Sequence, residues 1–357
     1  MQASSTPSCS TSSSVSNIWP EAKHRLSKEH CAFKFSSRIP PALFVSPGEL
    51  IHVETHDCFF QAITPTNPDV KLDFSKLNPV TGPIYVKGAL PGDLLSITIH
   101  DIRPVGVGVA RCSPSMGQLC HFINQTTTKF FDMHPEGLLT MRESKKNKTK
   151  RIAPLSFPIS PMLGVIGLAP KGNVDMSTMP AGKHGGNLDN KHNGIGSTIH
   201  ISVQHPGGLL SIGDMHASQG DGEICGTGVE VAGHVLLSCA ILKYDCSVKD
   251  RVHFPVTETA THWITHGVVE TDIPETTTLA CDEAAKLLIS QWGFTAAEAF
   301  IFLSVKGDLG LCQSCHPDEG TQIAKMVVPK IPACPRPFNR QTSIESITNL
   351  KLYQGHE

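Results

Sequence analysis

The chain has 357 residues, with 30 Lys and Arg against 32 Asp and Glu and a formal charge of −2 at pH 7. That balance excludes a surface field able to gather nucleic acid or anionic membrane over the whole protein, and no apolar run of about 18 residues is present to form a transmembrane helix. Thirty glycines and 26 prolines beside 6% aromatic residues argue against a helical bundle and for many short strands joined by tight turns.

Residues 1–16 contain eight serines and almost no apolar side chains. They cannot bury enough surface to order themselves, so residues 1–30 are expected as a disordered or weakly ordered tail. An N-terminal β domain is expected over 31–160. Within it 51–55 reads as a strand, and Leu94-Leu95-Ser96-Ile97-Thr98-Ile99-His100 alternates apolar and polar positions behind the turn Pro91-Gly92-Asp93, the period of a half-buried strand. Segment 103–158 has the weakest pattern and holds the basic run from Lys145 to Arg151, which is expected as a solvated loop.

A second, β-rich α+β domain is expected over 161–330. Its strands read at 199–203, 209–212, 229–231 and 235–242. The helices come late. One is capped by Asp282, with apolar residues at 284, 285, 288, 289 and 292 and Gly293 closing it; the other opens on the capping box Thr295-Ala296-Ala297-Glu298 and runs to about Ser304. Residues 331–357, opened by Pro332, Pro335 and Pro337, are expected as a tail. Many strands followed by one helical pair predict an α+β chain, mainly β, with β-sandwich or jelly-roll-like sheets and a small C-terminal helical pair packed on strands.

Twelve cysteines are scattered through the chain. No basic segment followed by an apolar one opens it, so no secretory signal is expected, a cytoplasmic setting is, and most cysteines should be free thiols. Cys312-Gln313-Ser314-Cys315-His316 matches the C-x-x-C-H pattern of haem attachment, but that chemistry goes with export, and no second C-x-x-C supports a zinc ribbon. There is no P-loop, no nucleophile elbow, no H-E-x-x-H and no dinucleotide fingerprint.

Two stretches concentrate ionisable groups among glycines: Lys183-His184-Gly185-Gly186-Asn187-Leu188-Asp189-Asn190-Lys191-His192 and the run from Gly213 to Glu223. Both abut strands, where side chains project from a rigid sheet. Asp214 and His216 are two apart, hence on one face of an extended strand, and Asp221 and Glu223 repeat that spacing. Three carboxylates and an imidazole within ten residues would repel one another in a dry pocket, a conflict that a divalent cation resolves, zinc first, with calcium, iron or manganese as alternatives. The bland alternative is a solvated series of Gly-Asp turns. His56-Asp57-Cys58 adds Asp57 as a fainter ligand or orienter.

Asn78-Pro79-Val80-Thr81-Gly82-Pro83-Ile84-Tyr85-Val86, then Pro161 to Gly167, His184 to His192, Gly213 to Gly226, and Leu303-Ser304-Val305-Lys306-Gly307-Asp308-Leu309 together resemble the acetamidase/formamidase family, in order, from about residue 40 to 330. The resemblance implies a mostly β, metal-dependent homo-oligomer that hydrolyses short aliphatic amides to ammonia and a carboxylate. It points to His184, Asn187, Asp189, Asp214, His216, Asp221 and Glu223 as site positions. On this reading Asp189, Asp214 and His216, with Asp57 fainter, hold the metal. Glu223, or failing that Asp221, moves the proton, with His184 and Asn187 beside them in the chemistry. Gly185, Gly186 and Gln219 contact the substrate. The partners expected are a small amide and further copies of the chain, with no nucleic acid and no membrane. Two alternatives stand beside it: a non-catalytic metal- or carbohydrate-binding β-sandwich, and a thiol amidase using Cys58 or Cys225.

Overall fold

The computed structural model describes residues 18–143, 153–243, 253–315 and 320–334. The tail at 1–16, the basic run 145–151, His316 and most of the 331–357 tail lie outside these residues.

Alternating apolar residues build the molecule as expected. Among the described residues nineteen strands join in one curled sheet, with a separate two-stranded ribbon between Lys34–Phe35 and Met176–Ser177. Nearly all ladders are antiparallel. Two are parallel, His24–Leu26 with 51–53 and Leu43–Val45 with 84–86. The longest seam pairs Leu94–Cys112 with Glu230–Leu242, and the second of these strands also pairs with Leu50–Thr55. Ile97, Ile99, Ile51, Val53, Val235 and Leu237 turn inward from these strands into the main core. Burying one such side chain stabilises the fold by about 1.5–3 kcal/mol.

Two sequence expectations are corrected here. Residues 18–30 are not a loose tail, because Trp19 is buried and His24–Leu26 forms a strand; a few apolar side chains suffice when a neighbouring strand accepts their backbone. Segment 103–158 is not mainly loop. The strand begun at Leu94 continues to Cys112, and Thr127–Met133, Leu138–Met141 and Ser156–Pro158 extend the sheet from it. These strands are partly exposed, so their alternation is faint.

The helical pair is present, and its first member starts earlier than expected. Helix α1 spans Ile273–Trp292, capped by Asp272 with Pro274 in its first turn. Asp282 lies inside it, paired with Lys286 at 2.5 Å, the i,i+4 geometry of an exposed helix face. Gly293 ends the helix as expected. Helix α2, Ala296–Lys306, opens on Thr295 and Glu298, which form both bonds of the capping box. The pair packs on His262–Glu270 and Thr321–Pro329 around a second core of Trp263, Ala284, Leu287, Leu288 and Leu303. The ten cysteines among the described residues are all free thiols. Among these residues no helix is long and apolar enough to cross a membrane.

Candidate active site

Leu210–His216 is buried along its whole length, so its polar residues have no water to solvate them. Asp214 and His216 face the same way, as their spacing predicts. The chain then loops out and returns, so that Glu230 stands opposite His216 in the ladder. Asp189 arrives from the loop after Gly185–Asn187, held where Leu188 N and Asp189 N both donate to Gly164 O at 3.0 and 3.2 Å. Glu223 is brought in by a bridge between Gly222 and Gln313.

The result is a dry cluster of charge. One donor atom each from Asp189, His216 and Glu223 lies within 4.8 Å of the others, and the same holds for Cys58, Asp214 and Glu230. His216 joins the two groups, its Nε2 3.0 Å from Glu230 Oε2 and 3.4 Å from Asp214 Oδ1. None of these three atoms is aligned in a hydrogen bond, and Asp189 Oδ1 and His184 Nε2 are also without partners. Left bare, such atoms cost about 1–3 kcal/mol each, more when charged.

Protonation reflects the crowding. Burial, then Glu223 and Asp214, push Asp189 well above the usual carboxylate range. Burial also raises Glu230 to about 8 and lifts Glu223, in both cases against the pull of His216. Burial opposes the charged form of His216, but Glu230 and Asp214 outweigh it and raise the imidazole well above its ordinary value. Asp189, Asp214 and Glu223 all have positive φ, at 44°, 54° and 41°, a strained region for side-chain-bearing residues that clusters at functional sites. Gly164 makes the room. A Cβ there would overlap Asp189 Oδ1 and Asp214 Oδ2.

A partly satisfied shell holds the cluster in place. His216 Nδ1 bonds Gln219 Oε1 at 2.7 Å, and Gln219 Nε2 donates to Asp189 O at 2.6 Å. With Gln219 Oε1 as acceptor, Nδ1 carries one proton; the carboxylates favour a second on Nε2, so Nε2 is the nitrogen that gains or loses a proton. Gln313 Nε2 donates to Asp189 Oδ2 at 2.6 Å and to Glu223 Oε2 at 3.0 Å. Gly228 N donates to Glu230 Oε1 at 2.9 Å.

The residues read from the sequence divide. Asp189, Asp214, His216 and Glu223 converge. Asn187 is buried beside them, accepting from Asn78 Nδ2 at 3.2 Å. Gln219 orients His216 and the Asp189 loop. Asp221 is excluded from the cluster, because the ammonium of Lys325 and that of Lys191, 2.9 Å away, clamp it and hold its carboxyl low. Asp57 is spent locally: its Oδ1 accepts from Phe59 N and Gln61 N at 3.0 and 2.8 Å, fastening a turn. His184 is buried edge-on against Phe35 and held neutral, its pKa lowered by burial to about 4. Gly185 and Gly186 pair in the ladders with Gly167 and Ile166 and permit close approach, since Cβ atoms there would crowd Ile166 O and Pro180 O.

Sequence reasoning missed Glu230, Gln313, Asn78 and Gly164. Glu230 had a signal, a lone acid between Val229 and Val231. Gln313 was hidden inside the C-x-x-C pattern.

These features define a mostly β protein with a buried cluster of carboxylates around one imidazole. The acetamidase/formamidase sequence profile matches residues 20–177 and 172–310, and the chain belongs to that family. The formamidase of Methylophilus methylotrophus is 29% identical over 255 residues, 57% of this chain and 62% of that protein. The acetamidase of Mycolicibacterium smegmatis is 26% identical over 339 residues, 74% of this chain and 82% of that protein. The crystal structure of an acetamidase from Bacillus halodurans superposes with a TM-score of 0.74 at 34% identity, over 85% of this chain and 97% of that one. The chain spans about two thirds of the length of the formamidases that it matches.

Proposed function

We propose that this protein hydrolyses short aliphatic amides of the formamide and acetamide type to ammonia and a carboxylate, at a divalent cation held by Asp189, Asp214, His216 and Glu230. The observation that carries the reading is the set of buried, unpartnered atoms on these four residues, a mixed carboxylate and imidazole donor set suited to zinc, iron or manganese. Once bound, such a cation supplies Lewis acidity, lowering the pKa of coordinated water towards 7 and polarising a carbonyl.

The chain's own residues do the rest. Glu223 sits beside the donor set with a carboxyl raised by burial, so it can take a proton from water and return it to the departing nitrogen. Gln313 fixes the rotamer of Glu223 and of Asp189 with one amide nitrogen. Gln219 fixes the tautomer of His216, the service a ligand's outer partner provides. Asn78, by donating to Asn187 Oδ1, leaves Asn187 Nδ2 to donate to a developing oxyanion. Burial closes the site to bulk water and strengthens each of these contacts.

A thiol mechanism has little support. Cys58 is buried, and burial followed by Glu230 and Asp214 pushes its thiol well above the ordinary value, whereas a nucleophilic cysteine needs a lowered one.

The test is ammonia release from formamide, acetamide and longer amides, with elemental analysis before and after exhaustive chelation. Turnover that disappears with the metal and returns with zinc, iron or manganese supports the reading. Turnover that persists in metal-free protein defeats the cation's role, and bound metal without turnover on any amide defeats the activity. Light scattering tests the homo-oligomer that the family resemblance implies.

A further inference from the structure

A second group of metal-type side chains lies outside this cluster. Leu50–Thr55 carries His52 and Glu54, two apart and so on one face of the strand. The antiparallel register with Glu230–Leu242 sets His234 opposite Glu54 and Leu236 opposite His52. All three side chains therefore meet on one face. His52 Nε2 is 3.0 Å from His234 Nδ1, and that nitrogen is 3.9 Å from Glu54 Oε1. One donor atom from each residue lies within 4.8 Å of the others.

The surroundings fix the rings and leave an opening. His52 is wholly buried with Trp19 edge-on against it at 5.0 Å. Trp19 is itself tied to Asp101 Oδ2 at 3.1 Å and covered by Arg103. The side chains of Glu54 and His234 remain 15% and 19% exposed, so an ion can enter from solvent. Two imidazole nitrogens that face each other can share one proton at most, and His52 Nδ1 is buried without a partner. Burial, with His234, Arg25 and Arg103, lowers the pKa of His52 to about 4; burial, Lys28 and Arg103 lower that of His234 against Glu54. Each ring is thus neutral at pH 7, with one nitrogen unprotonated, and a cation between Nε2 and Nδ1 would displace the proton they share.

We propose that His52, Glu54 and His234 form a second divalent-cation site, with two imidazoles and one carboxylate as ligands. It lies four residues along the strand from Glu230, about 13 Å at strand rise, so it does not share the ligands of the first cluster. Two metal–nitrogen bonds of about 2.0–2.1 Å put their nitrogens about 2.9 Å apart at a right angle and about 3.3 Å apart at the tetrahedral angle. The observed 3.0 Å lies close to both values, so the two rings need little movement to take up a cation. Arg25, Arg103 and Lys28 repel a dication and weaken its binding.

The test is equilibrium dialysis of the purified full-length protein, as isolated, against micromolar Ni²⁺, with metal counted per chain and the melting temperature read in parallel. Wild type is expected to take up one more equivalent than His234→Ala and to melt higher with Ni²⁺, a shift that His234→Ala and Glu54→Gln lose. Glu54→Gln should weaken uptake at least tenfold and guards against misfolding of the histidine variant. Equal nickel content and equal melting shifts in wild type and both variants would overturn the proposal. Amide turnover should be the same in all three proteins, which separates this site from the catalytic reading.

Discussion

Asp214 and Asp221 lie in one acidic segment, seven residues apart, and finish in opposite electrostatic worlds. Asp214 is buried on a strand with Glu230 and His216 around it, and its Oδ1 has no hydrogen-bond partner. Asp221 stands at the edge of the same loop with its side chain 40% exposed, clamped between Lys191 and the buried Lys325. One carboxylate keeps an oxygen without a hydrogen bond, while the other sits between two ammonium groups. A cluster of acids in a sequence therefore does not define a site; the supply of lysines by neighbouring elements decides which acids remain available. Here Lys325 comes from Thr321–Pro329, more than a hundred residues later in the chain.

The sharpest way to break this contrast is to remove a carboxyl on each side of it. Glu223→Gln should lower kcat for amide hydrolysis by about 10²–10⁴ if it moves the proton, as read from ammonia release; a loss below tenfold would move that role elsewhere. Gln219→Ala frees the ring of His216 and the Asp189 loop, and is expected to cost about 10–100-fold in metal affinity or activity, measured by competition with a chelator. Asp221→Asn should change kcat by less than about tenfold, since its charge is already neutralised, yet lower stability by about 1–3 kcal/mol in denaturant titration by stripping a charged partner from buried Lys325. A collapse of kcat in Asp221→Asn at unchanged stability would reverse the assignment of the two acids.

The smallest effect concerns pH. His266 is fully buried, its Nδ1 2.7 Å from Pro255 O and its Nε2 2.9 Å from Asn190 Nδ2; burial lowers its pKa to about 4. The unfolded chain takes up this proton near pH 6.5 and the folded one only near 4, so the stability this group allows is full above 6.5 and is lost as pH falls towards 4. The loss is at most about 3 kcal/mol. His266→Gln can keep both hydrogen bonds and should flatten that part of the stability profile; an unchanged acid slope would show that other groups set it.

Much of this was legible from local pattern. Alternation located the strands at 51–55, 94–100, 199–203 and 235–242, and Thr295 with Glu298 marked the start of the second helix, because these signals are carried by neighbours in the chain. The spacing of Asp214 and His216 put them on one face for the same reason. Partly exposed strands between 103 and 158 were not legible, since a sheet edge held by backbone hydrogen bonds needs little alternation. The first helix was misread at Asp282, where an exposed acid paired with Lys286 imitates a cap.

The amino-acid order by itself determined the mainly β architecture, the late helical pair, the family resemblance and four of the charged groups that converge, all properties of residue type and short spacing. Only the tertiary structure decided that Glu230 and Gln313 join them, that Asp221 and Asp57 are diverted to other partners, and that Gly164 leaves space for two carboxylates. The physical reason is that electrostatic fate in a dry interior depends on which charges and donors lie within a few ångströms. That proximity is set by the pairing of strands far apart in sequence.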